Sequence, residues 1–165
     1  LEDHPLKGVL FMNPGAAYLN DLEQFTTGKN FWQASLLKQI EGLTMQQALY
    51  KPSPDRHGIW QIVRHIAYWK YWALTYLNEN KKLNAKEDNW APMPEVQTEE
   101  TWQEEIENLR KLNEDCISSA AKLGDEIFNS SDERIVFFRQ LSYHDSYHTG
   151  QIGFLRAMQG LKPVE

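Results

Sequence analysis

Apolar residues recur at three- and four-residue steps through most of the chain, and no stretch shows the alternation of a half-buried strand. Ile62, His65, Ile66, Trp69, Trp72 and Tyr76 share one face of a helix expected from Gly58 to Glu79. Asp55 or His57 is placed to cap its start. Trp102, Ile106, Leu109, Leu112, Cys116, Ala120 and Leu123 form the stripe of a helix from Thr98 to Leu123, with Thr101 and Glu104 as a capping box and Gly124 as its stop. A further helix is expected from Ser131 to Gln159, opened by Ser130 and Glu133 and closed by Gly160 and Pro163. The earliest is weaker. It runs from Gly28 to Glu41 on Phe31, Ser35, Leu36 and Ile40, and residues 1–19 read as an N-terminal extension to a domain spanning 20–165.

Four helices and no strand define an all-α fold, a four-helix bundle. The connections suggest its order. About 18 polar residues, including Pro92 and Pro94, separate the second and third helices. Extended, they reach about 60 Å, whereas the second helix, with about 22 residues, spans only about 33 Å. This crossover lets the second and third helices run parallel, giving up-down-down-up, with the second and fourth antiparallel.

That topology brings histidines together. His144 and His148 lie one turn apart on a face shared with Leu141, Ile152 and Leu155, so both point inward. His65 lies on the inward stripe of the antiparallel second helix. Imidazole nitrogen suits Zn, Ni, Cu and Fe, and three protein ligands leave a coordination position for substrate or water. A histidine on an apolar stripe also serves as a hydrogen-bonded core residue, and the pair alone leaves both readings open. His57, about 12 Å along the axis from His65, falls outside such a site, and His4 belongs to the uncertain tail. There is no HExxH pattern: Asp145 follows the first paired histidine. It points about 100° away, so it reads as a solvated helix charge in preference to an outer acceptor. Gln151 is placed to orient a ligand, and Tyr143, Tyr147 and Trp69 to line a pocket or simply to pack.

Composition narrows the alternatives. The formal charge of −6 argues against nucleic-acid binding, which requires a basic surface. A single cysteine, Cys116, excludes an intrachain disulfide and reads as a small buried residue. No stretch approaches the length of a membrane span, and the beginning lacks a secretion pattern, so a cytoplasmic protein is the expectation.

At "IEGLTMQQALYKPSPDRHGIWQIVRHIAYWKYW" (40–72) and "LSYHDSYHTGQIGFLRAMQGL" (141–161) the sequence resembles the DinB-like, or YfiT-like, family of bacterial four-helix-bundle metalloenzymes. The resemblance extends more weakly through the polar linker and the helix led by Trp102. It implies a metal triad at His65, His144 and His148, the up-down-down-up bundle, and a homodimer. It further implies a divalent ion, Zn or Ni before Fe or Mn. The implied activity joins a low-molecular-weight thiol such as bacillithiol, mycothiol or glutathione to an electrophile. A non-catalytic metal-binding stress-response protein and a metal-dependent hydrolase are the alternatives.

Overall fold

The computed structural model describes residues 13–28, 30, 32–82 and 89–164. The expectations for His4 and Phe31 lie outside them. Among the described residues are eight helices: α1 (Pro14–Thr26), α2 (Leu36–Ile40), α3 (Met45–Leu49), α4 (Ile59–Glu79), α5 (Glu99–Leu123), α6 (Glu126–Asn129), α7 (Glu133–Arg139) and α8 (Leu141–Met158). The chain is all-α, and the longer helices α1, α4, α5 and α8 pack as a four-helix-bundle-like core. No described helix is long and apolar enough to cross a membrane.

The two central helices follow the sequence pattern closely, but their caps differ from those expected. Gly58 begins α4, and the Gln61 side chain folds back onto its backbone N–H. Asp55 accepts from the Ser53 hydroxyl instead. At α5, Thr98 is the cap, its side chain accepting from the Thr101 backbone. In the fourth segment Asp132 caps α7 by accepting from the Arg134 backbone, and the helix is interrupted at Gln140 before α8 begins.

The first helix departs most from expectation. Among the described residues of 28–41, only Leu36–Ile40 is helical; the Asn30 side chain accepts from the backbone N–H groups of Trp32 and Gln33, which lie in a bend. The long first helix is α1, capped by the Asn13 side chain with Pro14 in its opening turn. It crosses the expected domain boundary at 19/20 and buries Tyr18, Leu22 and Thr26. Gly15 explains how closely it docks. A Cβ there would lie 2.3 Å from the Gly124 carbonyl carbon, so only glycine lets the start of α1 meet the end of α5. The Gly15 N–H donates to the Asp125 carboxylate at 3.0 Å.

Two apolar clusters fill the bundle. One joins Leu36, Ile40, Trp60, Val63, Trp102 and Leu109 with Ile152 of α8. The other joins Leu22, Ala73, Cys116, Ile127, Phe138 and Leu141. The Trp102 indole N–H donates to the Leu43 carbonyl at 2.8 Å, so this large ring is buried with its polar atom satisfied. Along α4 the first cluster ends at Ala67 and the second resumes at Ala73; Lys70 lies between. Along α5 the gap holds Asn113, and along α8 it holds Asp145, His148 and Thr149, all buried. A polar layer therefore divides the core, and the histidines sit at its edge.

Candidate metal centre

α4 carries His65 and α8 carries His144 and His148, one turn apart. One nitrogen from each ring lies within 4.8 Å of the other two. His65 and His148 are buried, while the His144 side chain keeps 26% of its exposure. The sequence-predicted triad is thus brought together, and it opens outward at His144.

The outer nitrogens decide what the inner ones offer. His65 Nδ1 is 2.6 Å from the Asn89 carbonyl oxygen, which can only accept, so Nδ1 carries the proton. His148 Nδ1 donates in the same way to Gln151 Oε1 at 2.6 Å. His144 Nδ1 faces the Asp145 carboxylate at 3.4 Å. His65 and His148 therefore present a bare Nε2 inward, and His144 does so when its proton lies on Nδ1, toward Asp145. The Nε2 atoms of His65 and His144 are only 3.1 Å apart. At that distance either one ring donates its N–H to the other or both nitrogens accept a single cation. Nitrogens bound tetrahedrally at about 2.0–2.1 Å from an ion stand about 3.3 Å apart, and those at right angles about 2.9 Å. The donor set and the His65–His144 spacing fit a divalent ion.

Electrostatics agree with neutral ligands. Burial pushes the His65 imidazolium down to about 4, helped by the neighbouring His148 and His144 against the opposing Asn89 bond. Burial likewise lowers His148, with His144 adding to the effect. A neutral imidazole is the form that binds metal.

Asp145 corrects an expectation. It is not a solvated charge: it is buried and paired with Lys70 of α4, itself fully buried. Burial alone would raise its pKa; the Lys70 charge, with the hydrogen bonds from His144 and Lys70, holds it low instead. Gln151 reaches His148 directly and donates its amide N–H to the Tyr147 hydroxyl at 3.1 Å. Tyr147 is exposed, its ring edge-on to His148 at 5.0 Å. Trp69 stands edge-on to both His65 and His144 and donates its indole N–H to the Asn89 side chain.

Sequence reasoning missed Lys70, Asn89 and Trp90. Trp90 stacks on His65 at 4.0 Å and on His57 at 3.7 Å, forming a three-ring sandwich. His57 is no member of the three-nitrogen cluster, yet it lies one ring from it. Cys116 is buried, and burial pushes its thiol up to about 11, so it is no nucleophile.

Two clefts flank the triad. One of about 410 Å³ is lined by Trp69, Phe137, Gln140, Leu141, Tyr143 and His144, with no side chain of fixed charge. The other, of about 480 Å³, has Arg56, His57, Trp90, Tyr147, Gln151 and Phe154 in its walls.

A helical bundle with three converging imidazoles, open on one side, defines a candidate metal-binding protein. Residues 31–152 match the model of the DinB superfamily, and the chain belongs to that superfamily. The matched span includes all three histidines and excludes α1. No curated protein matches the chain, and neither does any solved structure.

Proposed function

We propose that the protein is a divalent-metal-dependent thiol S-transferase, joining a low-molecular-weight thiol to a small electrophile. The observation that carries the reading is the convergence of three Nε2 atoms beside an uncharged cleft that reaches His144. His65, His144 and His148 hold the ion, Zn or Ni before Fe or Mn. A divalent ion supplies Lewis acidity there and favours the thiolate form of a thiol.

The chain itself supplies position and surroundings. Trp69, Phe137 and Tyr143 offer flat apolar surface to an electrophile. Arg56 and His57, in the other cleft, suit the anionic groups of a thiol cosubstrate. In the reaction the sulfur–carbon bond forms, the thiol proton leaves to water, and the electrophile's leaving group departs. Hydrolysis uses the same three nitrogens but needs a base to activate water. Asp145, the carboxylate that touches the triad, is engaged by Lys70 behind His144, which weighs toward thiol transfer. A non-catalytic metal-binding stress-response role is the other alternative; an open cleft at a ligand weighs against it.

The up-down-down-up order, the homodimer and the cytoplasmic location belong to the same reading. The order is supported by Trp60 with Trp102 and Arg64 with Glu105, which advance together along α4 and α5. His65 with His148, Lys70 with Asp145 and Tyr76 with Glu133 run in opposite senses.

The test is conjugation. Metal-loaded protein is expected to consume monochlorobimane with bacillithiol, mycothiol or glutathione, releasing chloride, and His148→Ala is expected to stop it. No turnover with any of these thiols removes the transferase claim and leaves the metal site standing.

A further inference from the structure

We propose that Lys70 and Asp145 form an aiming device for His144, a function distinct from holding the helices together. The proposal rests on the metal reading above only in its last link, where ring orientation becomes metal affinity.

A fully buried lysine in the middle of a helix bundle requires an explanation. Replacing a buried ion pair by apolar residues of similar volume is often neutral or stabilising, so stability alone does not account for one. Here both partners are enclosed between two apolar clusters. The pair spans two helices: α4 provides the cation five residues after His65, and α8 the anion one residue after His144.

The two carboxylate oxygens have separate tasks. Oδ2 takes the Lys70 ammonium. Oδ1 faces His144 Nδ1 at 3.4 Å. The neighbouring Thr149 hydroxyl donates to the Asp145 backbone carbonyl at 2.7 Å, not to the carboxylate. Lys70 therefore sets the rotation of the carboxylate, and the carboxylate keeps the His144 proton on Nδ1. That leaves Nε2 bare and aimed at His65 Nε2.

His144 has particular need of this. Its side chain is the more exposed, so packing restrains its ring least. His65 is held by the Asn89 carbonyl, stacks on Trp90 and meets Trp69 edge-on; His148 is held by Gln151. For His144 the restraint comes from a charged acceptor, which Lys70 holds from the far side. Lys70 and Asp145 are positioning residues: neither points a donor atom into the three-nitrogen cluster.

The experiment compares the wild type with Lys70→Met, Asp145→Asn and the double variant Lys70→Met/Asp145→Leu. Nitrogen-15 histidine NMR of metal-free wild type reads the tautomer directly. The proton is expected on His144 Nδ1; a proton on Nε2, or an equal mixture, overturns the proposal without any variant. The double variant is expected to fold, with an unfolding temperature near that of wild type, yet to lose the Nδ1–H tautomer preference. It is expected to bind Zn²⁺ about 10- to 100-fold more weakly in competition with a chromophoric chelator, and Lys70→Met alone is expected to weaken binding in the same range. A double variant with wild-type tautomer and wild-type Zn²⁺ affinity shows the pair to be merely structural. Should the double variant fail to fold, the wild-type tautomer and the Zn²⁺ affinity of Lys70→Met still decide. If wild type itself binds neither Zn²⁺ nor Ni²⁺, the metal reading fails, while the tautomer comparison still decides the aiming role.

Discussion

Gly15→Ala should destabilise the protein through contact with backbone alone. The new methyl group would lie 2.3 Å from the Gly124 carbonyl carbon, 2.4 Å from its oxygen and 2.7 Å from the Asp125 nitrogen. No rotamer change relieves a clash with main chain, so α1 must move off the end of α5 by about 1 Å or more to restore ordinary contact. That movement stretches the 3.0 Å bond from the Gly15 N–H to Asp125 and loosens the burial of Tyr18 and Leu22. Forced overpacking of this kind costs about 1–3 kcal/mol. For a chain of this size each kcal/mol moves the midpoint by about 2–4 °C, so a fall of about 2–12 °C is expected. Gly150→Ala is the internal control. Nothing lies within 4 Å of the place its new methyl group would take, and it sits inside α8 at an ordinary φ. Alanine should therefore stabilise the helix there by about 0.5–1 kcal/mol. Thermal unfolding followed by circular dichroism measures both. If Gly15→Ala melts at or above the wild-type temperature, α1 is not docked as described and its place in the bundle is wrong.

Other expectations follow from single groups. Cys116 should resist maleimide at pH 8 in the folded protein and react fully in guanidinium, because its thiol is buried and raised to about 11; rapid native labelling contradicts this. The hydrogen bonds from the Arg134 side chain and backbone lower Asp132 from 3.8 to about 2. A depressed folded value contributes stability above pH 3.8 that disappears as pH falls toward 2. The melting-temperature gap between wild type and Asp132→Ala should therefore narrow over that interval, and a constant gap would refute the assignment. A divalent ion at about 100-fold excess over its Kd should raise the wild-type midpoint by about 5–11 °C, and chelation should reverse it. His144→Ala should lose most of that increment.

The parts of the molecule visible in sequence are those with dense periodicity. α4 and α5 place a large apolar residue at nearly every inward position, so the pattern marks their spans to within about a residue or two. α1 buries Tyr18, Leu22 and Thr26 at four-residue steps, a pattern that reads as a turn of helix in the sequence but not as a bundle helix, because Thr26, Thr27 and Gly28 break its continuity with the next segment. The segment expected in its place carries apolar residues, but the Asn30 side chain takes the backbone N–H groups of Trp32 and Gln33, a contact no periodicity reveals. The histidines are legible because four-residue spacing fixes a shared face.

Their supports are not. Lysine in a helix normally reaches solvent, so nothing local marks Lys70 as buried; its position becomes meaningful only once Asp145 faces it across the bundle. Asp145 misleads for the matching reason, since its charge calls for water as long as Lys70 is out of view. Trp90 and the Asn89 carbonyl come from a polar linker that reads as mere connection. Their contacts with His65 span more than twenty residues of chain and depend on how that linker returns to the bundle. His57 is the intermediate case. Axial distance correctly keeps it out of the nitrogen cluster, but stacking through Trp90 brings it beside the site.

The most direct test of the account is the metal content of untagged protein purified without chelator, measured by elemental analysis beside His65→Ala. One Zn or Ni per chain in the wild type, with near-complete loss in the folded variant, is the predicted result. A wild type that remains metal-free after incubation with each candidate ion, or a His65→Ala variant that retains a full equivalent, would contradict the assignment of these three histidines as a metal centre.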